Sequence, residues 1–192
     1  PFILSDEPNL EIKDYMQDKN FYRLLPQTLA EVAGLKIANT GSTDQGGSIL
    51  FQEKDSDFSV YFGADLAVWD DFQEFYDGFA SELDWLAQIK SQFSKVKVMF
   101  LPSGTGDGYQ EEPLLDGAMQ LINLFQPELV IPIHGADYPE YYPGFVNAMQ
   151  QRFDKIDTGT FSEFEQCINK EIDFQVYYPE KSGEAIEFKP NS

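Results

Sequence analysis

A carboxylate and an imidazole, each just past the end of an apolar run, are the residues of this sequence that could do chemistry together. His134, the only histidine of the chain, follows Leu129-Val130-Ile131-Pro132-Ile133 and precedes Gly135. Asp65 follows Phe58-Ser59-Val60-Tyr61-Phe62 and then Gly63-Ala64. An unbroken apolar run of this length reads as a buried strand. Open α/β sheets place their sites just beyond the carboxyl ends of such strands. An acid and an imidazole at two strand tips suit zinc, iron or manganese as shared ligands. Two donors are too few for a closed centre, so the expectation is a metal site whose remaining ligands are absent from this chain. The competing reading of His134 is a hydrogen-bonded structural residue.

Other polar clusters are weaker. Ser42-Thr43-Asp44-Gln45-Gly46-Gly47 offers Asp44 as a third metal ligand, with Ser42 and Thr43 as substrate contacts. Such residues in loops more often bond to their own backbone. Ser103-Gly104-Thr105-Gly106-Asp107-Gly108 lies between a strand and a helix, where backbone amides can cradle a phosphate. It resembles the FMN-phosphate loop of flavodoxins, but those proteins carry theirs after the first strand. Here half the chain precedes it and Glu111 and Glu112 would face the anion, so a turn-rich connection is the better reading. Cys167, the single cysteine, reads as a buried structural thiol in a reducing, cytoplasmic setting. No Ser/His/Asp triad, P-loop or zinc-finger spacing is present.

The elements that must position the pair follow from periodicity. Residues 1–30 read as irregular, with a short edge strand over Pro1–Ser5. Gly34–Ala38, Ser48–Glu53 and Phe58–Phe62 read as a β-meander, interrupted by the polar loop 39–47 and the turn 54–57. From Asp70 to about Ile89, Phe72, Phe75, Phe79, Leu83 and Leu86 recur at helical steps, which predicts a helix with one apolar face. Val96–Leu101 reads as a strand, and Pro113 suits the first turn of a helix running to Phe125. After the His134 strand, 137–143 reads as a loop, Phe145–Phe153 and Phe161–Ile168 as helical, and Ile172–Tyr178 and Ala185–Phe188 as closing strands. The order predicts a single domain over residues 1–192 of the α/β (α+β) class, a mixed sheet with helices outside.

Composition narrows the partners. With 33 acidic against 13 basic residues the formal charge is −20, which repels nucleic acid and anionic membrane surfaces. No stretch reaches membrane-spanning length. Hydrophobic residues at 42% with 15% aromatics argue for a folded globule rather than a disordered chain.

The motifs together resemble the second half of a metallo-β-lactamase-fold hydrolase, closest to bacterial metal-dependent hydrolases related to ascorbate-phosphate lactonases. Gly41-Ser42-Thr43-Asp44-Gln45-Gly46, then Gly63-Ala64-Asp65-Leu66 with Trp69, Phe100-Leu101-Pro102, Gln126-Pro127-Glu128-Leu129-Val130, Pro132-Ile133-His134 and the tail Tyr178 to Ile186 carry the likeness, over roughly residues 30–190. The resemblance implies the C-terminal portion of an αββα sandwich in which Asp65 bridges two metals and His134 binds one. Zinc is the first expectation, with manganese or iron as alternatives. It implies a metal-bound hydroxide attacking an ester, lactone or phosphoester of a small-molecule substrate. The family's His-x-His-x-Asp-His loop is absent, a histidine usual near Ser42–Asp44 is missing, and Ala64 alters the setting of the aspartate.

The chain therefore reads as the C-terminal half of a hydrolase, a split-gene subunit or a degenerate relative. A half-sandwich would expose the inner face of its sheet, including Ile49, Phe51, Val60 or Ile131, and large apolar patches mark interfaces. The expected partner is the missing N-terminal half, another protein chain or a second copy, giving a homo- or hetero-oligomer. The alternatives are a catalytically inactive module retained for binding or assembly, and an FMN-binding protein using Ser103-Gly104-Thr105-Gly106.

Overall fold

The computed structural model describes residues 2–5, 21–44, 46–70, 72–104, 111–135, 138, 140–166, 171–181 and 183–189. Strands β3 (Thr28–Val32), β4 (Leu35–Asn39), β5 (Ile49–Glu53) and β6 (Phe58–Phe62) form an antiparallel meander. Ala33 and Gly34 both have positive φ, 51° and 85°, the backbone a two-residue hairpin needs to match strand twist. Two further strands, β1 (Phe2–Ser5) and β2 (Phe21–Leu24), pair in parallel as a separate two-stranded sheet.

From β6 to β9 each connection carries an α-helix, and beyond β6 the pairing turns parallel. Helix α1 (Gln73–Ile89) leads to β7 (Lys95–Pro102), α2 (Glu111–Phe125) to β8 (Leu129–Ile133), and α3 (Tyr141–Arg152) to β9 (Ile156–Thr160) and β10 (Phe174–Tyr178). The large sheet has eight strands in the order β3-β4-β5-β6-β7-β8-β10-β9. It is a mixed α/β fold.

Side chains alternate along a strand, so each strand feeds both faces. One face supplies Leu50, Tyr61, Met99, Leu101 and Val130 to the main core, where Phe79 and Leu86 of α1, Leu121 of α2 and Met149 of α3 close over them. All three helices thus cover the same face. The opposite face is covered in two pieces. Leu24 packs on Val32 and Ile37 at the β3–β4 end. Phe161, Phe164, Ile186 and Phe188 pack around Leu129, Ile131 and Tyr177 at the β8–β10 end. Between these covers Phe51 and Val60 are only half-buried, lining with Leu35 and Phe58 a concavity of about 230 Å³. Farther along β6, Phe62 is 40% exposed, its ring 5.9 Å from that of Phe100.

Strands β4, β5 and β6 of the meander, the three helices and the strands at 96–101 and 129–133 follow their sequence patterns, whereas β2 and the start of β3 fall in the stretch 1–30 read as irregular. Pro113 stands in the first turn of α2, as its sequence position suggests. Several details differ. Phe72 stands just before α1 and is exposed, not on its apolar face. Helix α3 begins at Tyr141, inside the stretch read as a loop, with Pro143 in its first turn where a missing N–H costs nothing. Residues 156–160, Ile-Asp-Thr-Gly-Thr, carry too little apolar pattern to announce β9, an edge strand held by pairing with β10. Phe161–Glu163 is only a 3-10 turn, and the rest of that expected helix extends into residues outside those described, as does Cys167. The expected strand over Ala185–Phe188 is irregular, and its apolar side chains serve as cover for the sheet. Ile131 lies beneath that cover, 8% exposed, whereas Ile49, Phe51 and Val60 remain partly open.

Candidate metal-ligand pair

Strands β6, β7 and β8 are neighbours and parallel, so their carboxyl ends lie along one edge of the sheet. Asp65 comes three residues after β6 and His134 directly after β8. With strands spaced about 4.8 Å apart, the tips of β6 and β8 stand about 10 Å from each other. Two local devices close that gap. Gly63 donates its N–H to Phe100 O at 2.8 Å, and a Cβ there would lie 2.8 Å from the same oxygen, which only glycine avoids. Ala64 then takes φ 45° and turns the chain toward β8. On the other side His134 takes φ 70°, while Ser103 pins the last carbonyl of β8, its N and Oγ donating to Ile133 O at 2.9 and 2.7 Å. As a result His134 Nε2 lies 3.1 Å from Asp65 Oδ1.

The main chain of Asp65 is held as firmly as its side chain. Its carbonyl oxygen receives Trp69 Nε1–H at 3.0 Å and lies 3.2 Å from Thr43 Oγ1 and 3.4 Å from Ser42 Oγ. Thr43 Oγ1 also lies 2.5 Å from Ala67 O and accepts from Ala67 N at 3.1 Å. The loop carrying Ser42 and Thr43 is anchored in turn. Thr40 Oγ1 and Ser48 Oγ are 2.6 Å apart, Tyr61 OH donates to Ser48 Oγ at 2.9 Å, and Glu82 of α1 accepts from Gly41 N at 2.9 Å. Burial, with Glu82 nearby adding repulsion, pushes the Tyr61 hydroxyl far up from its ordinary value despite the bond to Ser48, so it remains a neutral donor. The ring of Trp69 completes the site, its centroid 5.2 Å from that of His134 at an angle of 52°.

The structure thus brings Asp65 and His134 together and sets Ser42 and Thr43 against the backbone of Asp65. Asp44 lies in the same loop, exposed, with its N–H bonded to Ser42 Oγ at 3.0 Å. Among the described residues no group of three or more His, Cys, Asp or Glu side chains converges on one point. The residues from 105 to 108, the larger part of the glycine-rich loop, lie outside those described. Trp69, Glu82 and Ser103 had not been singled out as supports of the site. Only Trp69 left a signal, the buried apolar run Leu66-Ala67-Val68-Trp69 directly after Asp65.

The pair fits a divalent cation in type and spacing. Two donors at 2.0–2.2 Å from a tetrahedral zinc stand about 3.4 Å apart, close to the separation seen here. A carboxylate and an imidazole also suit manganese and iron. The pair is 24% and 42% exposed at Asp65 and His134, open enough for further donors to approach.

No family model and no curated protein matches the chain. Solved structures do. A Thermotoga maritima protein assigned to the Zn-dependent hydrolases of the metallo-β-lactamase superfamily aligns at TM-score 0.45 and 17% identity, covering 83% of this chain and 73% of its own. A metallo hydrolase from the archaeon Ignicoccus hospitalis aligns at TM-score 0.42 and 17% identity, covering 69% of this chain and 54% of its own. CmlA, a diiron β-hydroxylase from Streptomyces venezuelae, aligns at TM-score 0.42 and 10% identity, covering 70% and 32%. The chain thus spans about half the length of the Ignicoccus enzyme and a third of the hydroxylase. These are the solved structures the chain is similar to, and the likeness is one of fold.

Proposed function

We propose that this chain contributes two ligands, Asp65 and His134, to the metal centre of a hydrolase acting on an ester, lactone or phosphoester of a small molecule. The observation that carries the reading is the meeting of Oδ1 and Nε2 at 3.1 Å, achieved by two residues in left-handed conformation rather than by adjacent strands. Bound there, a divalent cation supplies Lewis-acid activation of water and of the scissile group. The chain's own residues do the rest. Asp65 Oδ1 and His134 Nε2 lie side by side, and the donors on the carbonyl of Asp65 fix the backbone from which its carboxylate leaves. Zinc leads, with manganese or iron as alternatives. A single cysteine, unable to form an internal disulfide, supports a reducing, cytoplasmic setting.

Two ligands leave the centre incomplete, and the reading assigns the others to polypeptide outside these residues. The half-open sheet face between Leu24 at the β3–β4 end and the C-terminal cover supports this, because Phe51, Val60, Phe62 and Phe100 present the apolar side of a sheet. The same polypeptide would seat on that face and deliver its donors to the strand tips beyond it.

The test is metal analysis of the 192-residue chain after incubation with Zn²⁺, Mn²⁺ or Fe²⁺. The expected result is at most one weakly held equivalent, lost in His134→Ala. Two tightly held equivalents would show a complete centre in this chain. No uptake under any condition, or uptake indifferent to His134→Ala, would favour a module that binds and assembles without hydrolysing.

A further inference from the structure

Trp69 is one of two tryptophans in the chain and touches both members of the pair in different ways. Its indole N–H, a donor with no acceptor capacity, goes to the main-chain carbonyl of Asp65 at 3.0 Å. Its ring faces the imidazole of His134 at 5.2 Å. The side chain is itself held fast, 7% exposed and packed with Ala67, Leu114 of α2 and Phe75 near the start of α1. An ordinary core tryptophan would explain the burial. It would also give the indole N–H some acceptor, but it would not by itself set that bond on Asp65 and the ring against the exposed histidine at the same time.

We infer that Trp69 is the positioning residue of the Asp65–His134 pair, and this inference rests on reading that pair as metal ligands. His134 follows a strand end, is half-exposed and stands in left-handed backbone. The indole supplies a wall against which the imidazole settles. Its N–H holds the peptide just after the left-handed turn at Ala64, and so the direction in which the carboxylate leaves the backbone. Because Trp69 is seated on residues of both helices, their packing is relayed to the two ligand atoms. Outer partners of this kind orient ligands, and their loss weakens metal binding about 10–100-fold.

The test uses the full chain labelled uniformly with ¹³C and ¹⁵N, where the sole histidine gives one imidazole spin system and the Asp65 carbonyl is also read. In the unsubstituted chain the imidazole protons are expected to be displaced by the indole ring current and to show contacts with it. In Trp69→Leu those shifts collapse toward unstructured-peptide positions and Zn²⁺ affinity falls about 10–100-fold. Trp69→Phe keeps a ring beside His134 but loses the bond to Asp65, so it retains a displaced imidazole, alters the Asp65 carbonyl shift and binds with intermediate affinity. Trp85→Phe, on α1 and away from the pair, leaves the imidazole unchanged. Should Trp69→Leu not fold, Trp69→Phe decides through the Asp65 carbonyl shift and the affinity. An imidazole spectrum and affinity unchanged in a folded Trp69 variant, or disturbed equally by Trp85→Phe, would overturn the inference. Absence of Zn²⁺ binding in the unsubstituted chain would instead defeat the metal reading, while the imidazole spectra still decide whether Trp69 orients the pair.

Discussion

Asp65 and His134 belong to segments that leave non-adjacent strands, with β7 lying between β6 and β8, yet their side chains meet at 3.1 Å. Partly exposed pairs of this sort add at most about 1 kcal/mol to stability. The arrangement is therefore weak as a stabilising device and good as a binding one. Asp65→Asn and His134→Ala should each lower Zn²⁺ affinity at least tenfold by calorimetry, with little change in unfolding midpoint. A large stability loss with unchanged metal binding would make the pair structural.

His134 at φ 70° and Ala64 at φ 45° hold a conformation that costs an L-residue about 1–2 kcal/mol. Glycine relieves that strain but adds freedom to the unfolded chain, a cost of about 0.4–1 kcal/mol. His134→Gly should therefore stabilise the protein by up to about 1 kcal/mol in urea titrations while abolishing its metal binding. A destabilised His134→Gly would mean that the imidazole's contacts outweigh the strain.

The two hydroxyls on the Asp65 carbonyl are unequal. Thr43 Oγ1 also bonds both Ala67 O and Ala67 N, whereas Ser42 Oγ lies at a long 3.4 Å. Thr43→Val leaves those backbone groups without a partner and should cost about 1–3 kcal/mol. Ser42→Ala should stay within about 0.5 kcal/mol. Chemical denaturation that ranks the two in the reverse order would refute this account of the loop.

Tyr61 is fully buried, and its ionisation is pushed well above the ordinary phenol value of 10.0, first by desolvation. A raised folded-state value means the folded protein holds the proton more tightly than the unfolded chain. The resulting stability is fully present below about pH 10 and drains away as pH rises toward the folded value. Tyr61→Phe should lose about 1 kcal/mol at neutral pH with the bond to Ser48 and show a flatter decline above pH 10. Equal alkaline slopes in the two proteins would exclude Tyr61 as the source.

Alone in solution, the half-open face around Phe51, Val60, Phe62 and Phe100 should drive association, opposed by the charge of −20. Salt screens that repulsion within about 10 Å at 0.1 M. Sedimentation should therefore show association increasing with ionic strength and reduced in Phe62→Ser. A monomer at every salt concentration would count against a face built to be covered.

The sequence by itself determined the order of elements from β4 to β8 and the two residues worth watching. Alternating or continuous apolar runs of five residues, helical spacing in α1 and α2, and polar or glycine-containing turns are local patterns, and local physics suffices to read them. It also placed Asp65 and His134 at strand ends, since each follows an apolar run directly. What it could not carry is anything that depends on the third dimension. Strand β9 is polar and exists because β10 pairs with it, and Ile186 and Phe188 serve as cover because Leu129, Ile131 and Tyr177 need one. The insertion of β10 between β8 and β9, the left-handed turns at Ala64 and His134, and the two-sided grip of Trp69 arise only when separate segments pack. The meeting of the acid and the imidazole was decided there, by β6, β7 and β8 lying parallel so that their carboxyl ends share one edge.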